Sequence, residues 1–190
     1  MTSVQDPGSR SGQKAVPPPG AGAVATSGST RGLVADSQGV IERDERVYGQ
    51  SLHFLGGKKF WRHVRTKSEV HSTIIGGVPY GSLLFFVSNV TGLDEGDIVK
   101  VLGISARTLR RQGETPEKSM PADLASKTWL FAETLAKATE IFGTKDEAER
   151  WMSRPAMGLD GQRPIDLLQT VQGTELVNDF LVRLEYGVYT

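Results

Sequence analysis

The chain is 190 residues long, balances 22 Lys and Arg against 22 Asp and Glu, and contains no cysteine. That length suits one or two domains. The even charge announces no general affinity for nucleic acid or membrane, and the missing cysteine excludes disulfides and thiolate metal sites.

No stretch of the sequence approaches the roughly 20 apolar residues of a bilayer-spanning helix. The N-terminus lacks the charged, then apolar, then small order of a secretion signal. A cytoplasmic protein with no membrane partner is expected. Charge is unevenly distributed: residues 1–120 carry 15 basic and 11 acidic side chains, whereas 121–190 carry 7 and 11. A basic front and an acidic back fit two different partners.

Residues 1–47, with runs such as "GSRSGQKAVPPPGAGAVATSGSTRG", are dominated by Gly, Ser, Pro and Ala. Such a segment buries too little surface to offset its ordering entropy. It reads as a disordered tail, with "DSQGVIERDERV" at most a short transient helix. Residues 48–75 read as a flanking helical segment. Its Leu52, Leu55, Phe60, Trp61 and Val64 are interrupted by Gly56 and Gly57.

The compact part opens at residue 76. Pro79 fits the first turn of a helix reaching Asn89. In "TGLDEGDIVKVLGISARTLRRQ", Asp94 begins a short helix with Ile98, Val99 and Leu102 inward. Gly103 ends it, Ser105 caps the next helix, and Leu109 anchors that helix. Two short helices broken by a glycine turn form a helix-turn-helix.

From Pro121 to Phe142, Leu124, Thr128, Phe131, Leu135, Ala138 and Phe142 recur at alternating spacings of 4 and 3, a buried helical stripe stopped by Gly143. Thr144 and Glu147 make a capping box for a helix over about 145–153. The loop "RPAMGLDGQR" leads to Pro164, which starts "PIDLLQT". A last helix runs from Thr174 to Tyr186 with Val177, Phe180, Leu181 and Leu184 on one face, and stops at Gly187. No run alternates as a strand does, so the fold class is all-α.

Catalytic chemistry is not visible. His53, His63 and His71 all lie in the flanking segment, ten and eight residues apart, unlike the compact spacing of zinc ligands. They read as solvated surface side chains. "GGVPYGSL" and "LGGKKF" lack the phosphate-loop pattern. A small enzyme built on the turn at Gly76–Gly81 would need converging His or acid groups that the chain does not offer there. No catalytic residue, metal, cofactor or small-molecule substrate is expected.

The helix-turn-helix carries the sharper signal. A recognition helix places basic and small polar residues of its first turns in the major groove. Ser105, Arg107, Thr108, Arg110 and Arg111 supply them, and Lys100 on the preceding helix is available for phosphate. Val99 stands where such motifs usually carry a small Ala, and Gln112 where an apolar anchor is common. The acidic Asp94, Glu95 and Asp97 dilute the local field, so DNA affinity calls for a dimer.

Taken together, the two halves resemble the Xre/MbcA/ParS antitoxin family of bacterial type II toxin–antitoxin modules. The likeness covers roughly residues 70–190. It rests on "LGISARTLRRQ", on the pair Ala148 and Trp151, on "MGLDGQRPIDLLQTVQG" (157–173), and on the pattern V-x-x-x-L-x-R-L-E-Y-G-V from Val177 to Val188. The resemblance implies a non-enzymatic antitoxin. Residues 144–190 would be its toxin-binding domain, and would neutralise a RES-domain toxin, a family associated with breaking down NAD, by blocking the active site. Residues 76–143 would be an Xre-like helix-turn-helix domain that binds the operon's own promoter as an autorepressor, in a homodimer.

For Leu168, Val177, Phe180, Leu181 and Leu184, core is the expected role. Arg163, Glu185, Tyr186, Val188 and Tyr189 sit at or beyond structural stops, and Tyr and Arg are enriched at binding hot spots. With Leu159, Gly187 and Thr190 they form the expected toxin-facing set, Leu159 being also able to pack under the last helix. The terminal "RLEYGVYT" reads as a helix end followed by a short uncharged arm suited to a toxin's substrate cleft. The alternative is a plain helix-turn-helix regulator of transcription whose C-terminal helices only dimerise.

Overall fold

The computed structural model describes residues 29–61 and 64–187, with side chains from 39 onward except residue 40. Among the described residues there is no strand, only an isolated bridge between Pro79 and Ser119. In chain order the helices are α1 (Ser29–Phe54), α2 (Lys67–Gly76), α3 (Tyr80–Asn89), α4 (Glu95–Leu102), α5 (Ala106–Gln112), α6 (Ala122–Phe142), α7 (Lys145–Met152), α8 (Pro164–Leu167) and α9 (Val171–Tyr186). Single 3-10 turns occupy Gly57–Lys59 and Met157–Leu159. The all-α expectation holds.

Helix α6 is the axis, with α1, α7 and α9 laid along it and α2, α3 and α4 also touching it. Pro121 precedes it and Gly143, at φ 85°, ends it in the left-handed conformation that glycine adopts without strain. Its inward stripe of Leu124, Thr128, Phe131, Leu135 and Ala138 is buried. The buried hydroxyls remain paired because they donate to carbonyls of their own helix: Thr128 to Leu124 (2.8 Å), Thr134 to Leu130 (2.9 Å) and Thr139 to Leu135 (2.8 Å).

Three boundaries differ from expectation. The tail read over residues 1–47 is corrected from Ser29 onward, where α1 begins; residues 1–28 lie outside the described residues. Val47, Tyr48, Ser51, Phe54 and Leu55 are buried on one face of α1. That helical stripe straddles the boundary drawn at residue 47, so the boundary split it.

The segment 48–75 is likewise no mere flank. Leu55 and Trp61 are fully buried, and Trp61 packs on Trp129 of α6 at 5.0 Å between ring centroids. Trp61 Nε1 donates to Ser82 Oγ (2.8 Å), which donates to the Leu55 carbonyl (2.9 Å). This buried polar chain joins α1, the following turn and α3. Beside it the Tyr48 hydroxyl finds no hydrogen bond among the described residues. Burial, with the nearby Glu133 and Asp44 charges, pushes its ionisation up to about 12.

Helix α9 starts at Val171, not Thr174. Thr170 is its cap, accepting from the Gly173 N–H at 3.0 Å. Gly173, just before the expected start at Thr174, lies inside the helix, where an added Cβ would come within 2.0 Å of the Leu167 carbonyl oxygen. Glycine is needed there for the close approach of α8.

The front and back of the chain are locked together. Buried Glu149 on α7 accepts from the Gly92 N–H (2.7 Å) and pairs with Lys145 (2.8 Å), whose ammonium also donates to the Asn89 carbonyl (2.9 Å). Phe142, Trp151 and Phe180 stack in series, with centroid distances of 5.1 and 6.2 Å.

Candidate functional site

Helices α4 and α5 meet as the sequence predicts. Asp94 caps α4 by accepting from the Gly96 N–H at 2.7 Å, and Gly103 turns the chain at φ 68°. Ser105 caps α5 by accepting from the Thr108 N–H at 3.0 Å. Leu109 and Gln112 point inward, so Gln112 fills the anchor position as a buried side chain. The interior face being thus occupied, Arg107, Arg110 and Arg111 are left exposed.

The expected DNA-facing groups are not equally free. Lys100 lies 3.4 Å from Asp97, and Arg110 lies 3.6 Å from Glu95. Both cations are well exposed, so these pairs are weak and are readily exchanged for a phosphate. The Ser105 and Thr108 hydroxyls are 2.9 Å apart and share a hydrogen bond at the cap. Arg107 and Arg111 make no ion pair among the described residues.

In the back half the expected toxin-facing set divides. Leu159 is buried and belongs to the core, a correction: the tight turn at Asp160 (φ 54°) and Gly161 (φ 72°) tucks it under α9. Arg163, expected to face a partner, is tied into the fold while its side chain stays one-third exposed. Its guanidinium donates to both Asp97 oxygens (3.0 and 3.2 Å) and to both Asp166 oxygens (2.7 and 2.8 Å). These bonds, with Asp166 foremost, raise the Arg163 pKa further. The Arg163 hydrogen bonds hold the Asp97 carboxyl below the ordinary aspartate range although burial opposes this. Fully engaged on α4 and α8, Arg163 ties the helix-turn-helix to the "LDGQRPID" loop.

Glu185, Tyr186 and Gly187 close α9, and Gly187 adopts φ 65°. Tyr186 is 54% exposed. Both side chains meet Arg43 of α1, through an ion pair with Glu185, a hydrogen bond to the Tyr186 hydroxyl (3.1 Å), and a guanidinium 5.5 Å from the Tyr186 ring centroid. Val188, Tyr189 and Thr190 lie outside the described residues. The exposed apolar side chains not expected from the sequence include Met157, 91% exposed on the 3-10 turn, and Leu176, four residues before Phe180 on α9. The signal available for Met157 was its place in the "MGLDG" turn, where apolar residues have no stripe to join.

His53 and His71 are exposed and His63 lies outside the described residues. No group of three or more acidic or His side chains among the described residues could hold a metal ion. No described helix is long and apolar enough to cross a membrane.

The fold and site thus define an all-helical protein in which a helix-turn-helix is locked onto a C-terminal helical unit. Residues 137–187 match the model of the antitoxin Xre/MbcA/ParS C-terminal toxin-binding domain. The chain is 28% identical over 148 residues to an antitoxin Xre of Photorhabdus laumondii, covering 75% of this chain and 98% of that protein. It is 25% identical over 137 residues to an antitoxin Xre of Yersinia enterocolitica, 70% of this chain and 92% of the relative. An antitoxin Xre of Pseudomonas putida is 31% identical over 84 residues, 44% of this chain and 52% of that protein. The chain thus carries a segment similar to the toxin-binding domain of the Xre/MbcA/ParS antitoxins, and most of its length is similar to antitoxins named Xre. The matched segment begins inside α6, seven residues before the boundary expected at 144.

Proposed function

We propose that this protein neutralises a cognate RES-domain, NAD-degrading toxin by covering its active site with the end of α9, and represses its own promoter through α4 and α5. It acts as a homodimer in the cytoplasm, without catalysis of its own. The observation that carries the toxin reading is the exposed Glu185–Gly187 end of α9 inside the segment that matches the toxin-binding domain. Tyr186 offers a large amphipathic ring at low entropic cost, the type of side chain that anchors interfaces. For DNA, the support is the exposed Arg107, Arg110 and Arg111 on a helix capped by Ser105. The weak, exposed ion pairs at Lys100 and Arg110 leave both charges available to phosphate.

The test is co-expression with the protein encoded by the neighbouring reading frame. The full chain should silence its toxicity and co-purify with it. A chain truncated after Glu185 should melt within a few degrees of the full chain yet fail to silence. Full silencing by the truncated chain would remove the end of α9 from the toxin interface. Promoter binding with no capture of the neighbouring protein would leave a transcriptional regulator alone.

A further inference from the structure

The end of α9 does not stand alone. Arg43, on a helix that lies wholly outside the matched domain of residues 137–187, touches both Glu185 and Tyr186. It makes three contacts of different kinds: the ion pair to Glu185, the hydrogen bond to the Tyr186 hydroxyl, and the approach to the Tyr186 ring. Its own backbone is placed by packing. Val47, one turn further along α1, is buried, as are Tyr48 and Ser51, and Arg46 pairs with Glu140 of α6 at 3.1 Å. The register of α1 on α6 therefore decides where the guanidinium stands.

We infer that Arg43 is a positioning residue for toxin binding. It holds the Tyr186 ring and the Glu185 carboxylate in one orientation before the toxin arrives. This inference rests on the reading of the α9 end as the toxin contact. The physical ground is the balance between stability and pre-organisation. A partly exposed ion pair with a cation–ring contact adds little to folding. The same contacts fix the rotamers of two side chains that would otherwise be ordered only on binding. One guanidinium face covers the ring, and the rest of Tyr186 remains exposed for a partner.

The experiment measures affinity of the full chain for the purified neighbouring-frame protein by calorimetry, for Arg43→Ala, Arg43→Lys, Tyr186→Ala and the double variant Arg43→Ala/Tyr186→Ala. Arg43→Ala should weaken binding about 3- to 10-fold with thermal melting unchanged. Arg43→Lys, which keeps the charge beside Glu185, should recover part of that loss. The double variant should lose less affinity than the two single losses combined, because much of the effect of Arg43 passes through the tyrosine. Additive losses would overturn the inference and make Arg43 a toxin contact itself. Unchanged affinity in Arg43→Ala with weakened affinity in Tyr186→Ala would also overturn it, leaving the α9 reading intact. If Tyr186→Ala and truncation after Glu185 both bind normally, the α9 reading fails and this inference falls with it.

Discussion

Arg163 illustrates what a single side chain decides. A planar guanidinium can serve two carboxylates at once, and here Asp97 and Asp166 take both sides of it. Replacing Asp97 with Asn should cost about 1–3 kcal/mol at neutral pH, measured by urea unfolding, because charged hydrogen bonds from Arg163 to a buried carboxylate are weakened. The pH dependence has a defined sign. The Asp97 pKa is lowered on folding from its ordinary 3.8, so its contribution is full above that value and fades as pH falls through the lower folded value. The gap between wild type and Asp97→Asn should therefore narrow below that ordinary value, and a gap that persists there would refute the ionic account. Half of this site was legible: the Arg163–Asp166 spacing of three on a helix start can be read from sequence. The Asp97 partner, 66 residues away, cannot. That distance is why Arg163 looked free for a partner.

At the scale of elements, local signals were strong wherever a cap, a glycine stop and an apolar period agreed. Asp94, Gly103 and Ser105 bound the two helices of the helix-turn-helix where expected. Thr66 and Glu69 form a full capping box that starts α2. The same T-x-x-E pattern starts α7 at Thr144, so the start of α2 is a local signal too. Arg107→Ala with Arg110→Ala should lower promoter affinity at fixed salt by about 100-fold or more, given about 1–3 kcal/mol per base contact. Toxin capture should be untouched. A gel shift unchanged by the double variant would take α5 out of the DNA groove.

Across the whole molecule, the N-terminal segment and the family domain share one core. Leu55 is 0% exposed and belongs to the same cluster as Leu135 and Leu181. Leu55→Ala should cost about 2–5 kcal/mol, the penalty of a true core cavity, with a single unfolding transition. A cost below about 0.5 kcal/mol, the scale of surface changes, would restore the picture of a detachable flank. The ties at Glu149 and Arg163 predict the same cooperativity, since each joins the helix-turn-helix to the back half.

What the sequence alone determined is the all-helical class, most helix ends, the capped α4–α5 pair and the inward stripes of α6 and α9. These depend on spacing and on capping residues, which act within a few positions of one another. Only the tertiary structure decided that α1 belongs to the core, that Gly173 serves a close contact, that Leu159 faces inward, that Arg163 pairs with Asp97, and that Arg43 meets Glu185 and Tyr186. Each of those depends on residues distant in sequence. Whether a polar side chain is spent inside the fold or left for a partner is settled by what packing brings within hydrogen-bond distance.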